Sequence, residues 1–176
     1  NRNTYATKSR YFVGQGYVFV SINYRLSPAV THPAHVEDVA AALAWVHNNI
    51  RKQGGDPDRI LLMGHSAGAH LAALVATDAR YLKAHGKDLT MLKGVVPLDG
   101  AGYDIPRLLN DMRARSLEMY TTAFTKEEKV WRDASPMTHV AAGKSIPPFL
   151  FFYAEQNRAG ETLCKAFVDR LKQAGT

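Results

Sequence analysis

Cysteine is almost absent from this chain of 176 residues, with Cys164 its only representative. An internal disulfide and a cysteine-based metal cluster are thereby excluded. In its amphipathic segment Cys164 reads as a small packed residue rather than a reactive thiol. Long apolar runs are missing too. None reaches the roughly 18 residues needed to span a bilayer, and no signal-peptide pattern is legible in Asn1-Arg2-Asn3-Thr4. Nor does any basic block interleave with aromatics. The formal net charge is +6, but the cations are scattered among acids, as in Lys126-Glu127-Glu128-Lys129. Neither nucleic acid nor a membrane is therefore expected as a partner. Repeats, low-complexity tracts and interdomain linkers are also lacking.

What is present is an alternation of strand-like and helix-like segments, which predicts an α/β fold: a mostly parallel sheet with helices on both faces. Residues 4–13 read as a helix. Tyr17-Val18-Phe19-Val20-Ser21-Ile22-Asn23, rich in β-branched and aromatic residues, reads as a buried strand. Val36, Val39, Leu43, Val46 and Ile50 recur every three or four positions and mark an amphipathic helix over 35–52, ended by Gly54-Gly55-Asp56-Pro57. Arg59-Ile60-Leu61-Leu62-Met63 is the next expected strand and 67–77 the next helix. Strands are also expected at 94–98 and 147–152, and a last helix at 161–174. A single domain over 1–176 carries a cap-like excursion of short helices at about 103–135.

The chemistry-bearing motif is Gly64-His65-Ser66-Ala67-Gly68. The bare pattern Gly-x-Ser-x-Gly arises by chance in about one chain in twenty of this length, given ordinary Gly and Ser frequencies. Here it follows an apolar strand and opens a helix, the context of a nucleophile elbow. That turn exposes the serine hydroxyl above the sheet, and Gly64 and Gly68 are the positions expected to admit close backbone. Ala67 is placed to offer its N–H to a developing oxyanion at a helix N-terminus. A plain strand-to-helix turn with a capping serine is the competing reading.

Four segments now occur in a telling order. They are Tyr24-Arg25-Leu26-Ser27-Pro28, His32-Pro33-Ala34-His35-Val36-Glu37-Asp38, Gly55-Asp56-Pro57 and Gly64-His65-Ser66-Ala67-Gly68-Ala69-His70-Leu71. From about residue 5 onward the chain resembles the carboxylesterase branch of the α/β-hydrolase superfamily, and in particular feruloyl-esterase-like and arylformamidase-like bacterial enzymes. The resemblance implies Ser66 as nucleophile and a small-molecule ester as substrate, with no metal or organic cofactor. It also implies an upstream His-Gly-Gly-Gly-type oxyanion segment, which would fall just before residue 1, and a histidine on a loop beyond Gly175. Neither is in the chain, which therefore looks shortened at both ends relative to the family.

The family's acid should follow Phe149-Leu150-Phe151-Phe152 in a Gly-x-x-Asp pattern. Here Ala154-Glu155-Gln156-Asn157 stands in that place, putting Asn157 at the acid position, and an amide cannot stabilise a histidine cation as a carboxylate does. Glu155 and Asp99 are the alternatives, with Glu161 behind them, although loop solvation or capping is the commoner role for each. No catalytic histidine is found among His32, His35, His47, His65, His70, His85 and His139. Tyr103, Tyr120 and Phe124 are candidates to line a substrate pocket with Met112, Met119 and Trp131, against ordinary core packing. The expected reaction is ester hydrolysis through an acyl-enzyme on Ser66. An arylformamidase-type amidase shares every motif. A non-catalytic hydrolase-fold binding protein would account for Asn157 and the missing histidine. Open sheet edges would favour association between copies of the chain.

Overall fold

The apolar run before the glycine-flanked serine forms β1 (Ile60–His65). The computed structural model describes residues 6–110, 114–156 and 158–176. β1 pairs in parallel with β2 (Leu92–Leu98), with Leu61 opposite Gly94, Met63 opposite Val96 and His65 opposite Leu98. Pro97 lies inside β2, where it contributes its carbonyl to a hydrogen bond from Phe152 N (3.0 Å). Residues 149–152 continue the sheet beyond β2 only through isolated parallel bridges, Val95 to Phe149 and Leu98 to Phe152.

Tyr17-Asn23, expected as a strand, joins no ladder among the described residues. β propensity is realised only where a neighbouring edge supplies hydrogen bonds and a packing surface. Ile22 still packs against the core, while Tyr17, Val18 and Val20 are exposed. Before this segment, α1 (Ala6–Gly14) stacks Phe12 on Phe19, ring centroids 6.0 Å apart.

Every residue of the predicted stripe, Val36, Val39, Leu43, Val46 and Ile50, is buried. The first four lie on α2 (Ala34–Asn49), and Ile50 opens a 3₁₀ turn that closes at left-handed Gly54. The helix α3 (Ala67–Thr77) packs on both strands, and it is buried from Ala69 to Thr77. Asp78 then caps the short α4 (Ala79–Lys83), accepting from Arg80 N at 3.1 Å.

Between β2 and residue 149 the chain forms α5 (Ile105–Asn110), α6 (Ala114–Phe124) and α7 (Glu128–Asp133). This excursion has its own small core of Ile105, Leu109, Phe124 and Ala134. Ser135 Oγ accepts from Ile105 N (2.9 Å) and donates to Trp131 O (2.6 Å), and Trp131 Nε1 donates to Thr125 O (3.0 Å).

The last helix, α8 (Arg158–Gln173), buries Leu163, Phe167 and Leu171 at i, i+4 and i+8. Phe167 meets the rings of Phe149, Phe151 and Tyr103 at 5.5, 5.4 and 5.2 Å. On this side of the sheet Leu62 and Val95 are buried. Alternate residues point to the other side, and there Leu61, Met63, Leu150 and Phe152 remain 55, 41, 58 and 53% exposed. No helix among the described residues is long and apolar enough to cross a membrane.

Candidate active site

Ser66 sits between β1 and α3 with φ 54° and ψ −119°, a backbone state that costs a non-glycine residue on the order of 1–3 kcal/mol. Its environment holds it there. Ser66 N donates to Leu98 O at 2.9 Å, one step past β1, and Ser66 O accepts from Ala69 N (2.9 Å) and His70 N (3.2 Å). The side chain is exposed, and no described residue hydrogen-bonds its hydroxyl. Ala67 begins α3, so its N–H is one of the donors that a helix leaves unpaired at its N-terminus.

The two elbow glycines turn out to differ. A Cβ on Gly64 would overlap the carbonyl of Gly68 and come within 2.8 Å of Ala69 N. A Cβ on Gly68 would meet nothing within 4 Å. The close approach expected of both positions is therefore a property of Gly64 alone, which faces the first turn of α3. His65, in the row Leu61, Met63, His65, points to the exposed side of the sheet, away from that turn.

Four histidines are bound elsewhere. His32 Nε2 lies 2.9 Å from Asp133 Oδ2, and Arg80 bridges Asp133 to Asp78 with contacts of 2.6 Å to each. His139 Nε2 donates to Asp133 O at 2.7 Å. Ser27 Oγ spends its single proton on Val30 O (2.9 Å), so it accepts from His35 Nε2 at 3.0 Å. His70, fully inside the protein, donates Nε2–H to Ala134 O at 2.7 Å, and burial pushes its pKa down to about 4. His70 is thus neutral, and it fastens α3 to the end of α7. His65 and His85 are exposed and His47 is half-buried on α2. No imidazole among the seven hydrogen-bonds the Ser66 hydroxyl.

The carboxylates separate in the same way. Glu155 is exposed in a turn beyond residue 152, and Glu161 pairs with Lys165 at 2.7 Å along α8. Asn157 lies outside the described residues, as does Met112. Asp99 is half-buried at the end of β2 with φ 50°, and its Oδ1 accepts from Ala154 N at 3.1 Å. Its neighbour Gly100 leaves room for Tyr103, whose hydroxyl a Cβ there would overlap, and for Ala69 Cβ at 2.8 Å.

Among the aromatics expected at a pocket, Tyr103 is fully buried against Phe151 and Phe167 and presents no surface to a ligand. Burial also pushes its phenol well up. Tyr120 is half-buried and stacks on Phe124 at 6.0 Å. Phe124 packs against His70 at 5.3 Å and His32 at 6.1 Å. A cavity of about 570 Å³ is lined by residues such as Asp104, Arg107, Arg132 and Met137, and Ser66 does not line it.

The first two of the ordered sequence segments are physically joined. Arg25 clasps Asp38 through Nε–Oδ2 (2.9 Å) and Nη2–Oδ1 (2.8 Å), and its backbone N–H donates to the same carboxylate at 2.9 Å. With Ser27 on His35, this fixes the 24–28 loop on the first turns of α2. Neither contact is visible in either segment read alone.

A family model described as BD-FAE matches residues 1–159. The chain belongs to the BD-FAE family. The probable carboxylic ester hydrolase LipM of Mycobacterium tuberculosis is 37% identical over 167 residues, which cover 90% of this chain and 38% of LipM. Kynurenine formamidase of Meyerozyma guilliermondii is 37% identical over 108 residues, covering 61% of this chain and 39% of that enzyme. Thermogutta terrifontis esterase 2, solved phosphonylated by sarin, aligns with 99% of this chain and 64% of its own at TM-score 0.78 and 26% identity. This BD-FAE chain therefore has a partial α/β-hydrolase fold. It spans about two-fifths of the length of these curated relatives.

Proposed function

We propose that the chain supplies the nucleophile of a serine hydrolase acting on carboxylic esters. The observation that carries this reading is Ser66 itself: exposed, held at positive φ between a parallel strand and a helix N-terminus, with Ala67 N–H beside it. In the proposed reaction Ser66 Oγ bonds to the ester carbonyl carbon, and its proton leaves through a general base. The carbonyl electrons move onto oxygen, where Ala67 N–H meets the negative charge. The C–O bond to the alcohol then breaks, the alcohol takes the proton, and water releases the acid from Ser66. We assign the base to none of the seven histidines. The acid is proposed on the turn beyond residue 152, at Glu155.

The names of the relatives support esters over other acyl substrates, LipM being a probable carboxylic ester hydrolase. The kynurenine formamidase relative favours a second reading, cleavage of N-formyl aromatic amines, by the same attack on an amide carbonyl. Treatment with a fluorophosphonate probe tests the shared step. The expected result is one label per chain, lost in Ser66→Ala. A folded chain that takes no label would leave a ligand-binding hydrolase fold as the better description. Rates on short aryl esters against N-formyl aromatic amines then separate the two substrates.

A further inference from the structure

The end of the sheet beside Ser66 is closed by a side chain in place of a backbone group. In a parallel pair the hydrogen bonds advance two residues at a time. Leu150 N donates to Val95 O (2.9 Å) and Phe152 N to Pro97 O (3.0 Å). The next acceptor in that series would be the backbone carbonyl of Asp99. Asp99 instead stands at φ 50°, one of four described non-glycine residues with positive φ, and its Oδ1 takes the hydrogen bond from Ala154 N at 3.1 Å. Its own N–H still donates to Phe152 O at 2.7 Å. The carboxylate thus carries the ladder one rung further than the backbone does.

That rung joins the parts the proposed reaction needs. Ser66 N is bound to Leu98 O, the residue before Asp99, and Ala154 opens the turn that holds Glu155 and leads to Asn157. We infer that Asp99 is a positioning residue, whose side chain fixes the turn of residues 154–156 relative to Ser66 by standing in for its own backbone carbonyl as the last ladder acceptor. The chemistry explains the residue type. Asp and Asn tolerate the left-handed region better than other side chains, and their acceptor is short enough to reach a neighbouring strand's N–H. Glu would carry its carboxylate one methylene further out.

The inference rests on Ser66 as nucleophile and differs from assigning Asp99 as the acid, because a positioning acceptor needs no charge. Asp99→Asn keeps an acceptor and removes the charge. Asp99→Gly removes the acceptor and adopts φ 50° without strain, so a folded protein is expected. Aryl-ester kinetics on the chain should show Asp99→Gly lowering kcat by roughly 10- to 100-fold with KM little changed, as for a displaced catalytic group. Asp99→Asn should stay within about 3-fold of the parent, against the roughly 10⁴-fold loss that amidation of a true triad acid causes. Amide hydrogen exchange at Ala154 gives a readout independent of turnover: protected in the parent and in Asp99→Asn, and at least about tenfold faster in Asp99→Gly, the loss expected with that acceptor gone. Equal kinetic damage from both variants, or unchanged exchange in Asp99→Gly, overturns the inference. In a parent without esterase activity the reading of Ser66 falls, and exchange at Ala154 alone decides whether Asp99 holds the turn.

Discussion

Gly64 and Gly68 share a motif and nothing else in their surroundings. Gly64 lies under the backbone of the first turn of α3, so any side chain there must push strand and helix apart. Gly64→Ala should cost about 3 kcal/mol, the upper part of the usual overpacking range, read as a fall in the urea midpoint. Gly68 sits in that first turn with open space beyond its Cα, and alanine is the better helix former there. Gly68→Ala should therefore raise the midpoint, by up to about 1 kcal/mol. At this scale much was legible in the residues. Ser66, its flanking strand and its helix were placed by apolar pattern and turn chemistry. The side chains that lock the surroundings were not, because Asp99 to Ala154 and His70 to Ala134 join residues 55 and 64 positions apart. A faint sign was available in Asp99-Gly100, a dipeptide that marks a turn. It says nothing of what the carboxylate binds.

Between elements, the buried His70 makes the attachment of α3 to the excursion dependent on pH. Its folded-state pKa of about 4 lies below the ordinary 6.5, so between those values the unfolded chain binds the proton more readily. Stability is expected to fall as pH drops from about 6.5 to about 4, by about 3 kcal/mol for a shift of this size. In His70→Gln the side-chain amide can still donate to Ala134 O but does not titrate. Its urea midpoint should decline less over that interval, and the difference between the two chains isolates His70 from the other acids and histidines. Equal slopes would show that the ring is solvated in solution. The elements themselves followed their patterns where burial was one-sided, as in α2 and α8. Residues 17–23 and 147–152 did not, since a strand is a property of two segments and periodicity describes one. The first has no ladder among the described residues, and the second makes only single bridges.

Across the whole molecule, the sheet has one face under α3 and α8 and another whose apolar row is open. Leu61, Met63, Leu150 and Phe152 form a surface of the kind that associates in water. Light scattering of the chain is expected to rise with concentration, and Leu61→Lys with Phe152→Lys should suppress that rise without lowering the thermal midpoint. Scattering that is flat in the parent would show the face to be benign. The two tryptophans differ in their surroundings. Trp45 is exposed on α2, whereas Trp131 is half-buried in the excursion with its indole N–H on Thr125 O. Their emission should accordingly divide by colour, a red component from the solvated indole and a blue one from the sheltered indole. The protein carries a built-in optical label on the excursion that covers His70, so its detachment can be watched without attaching any dye.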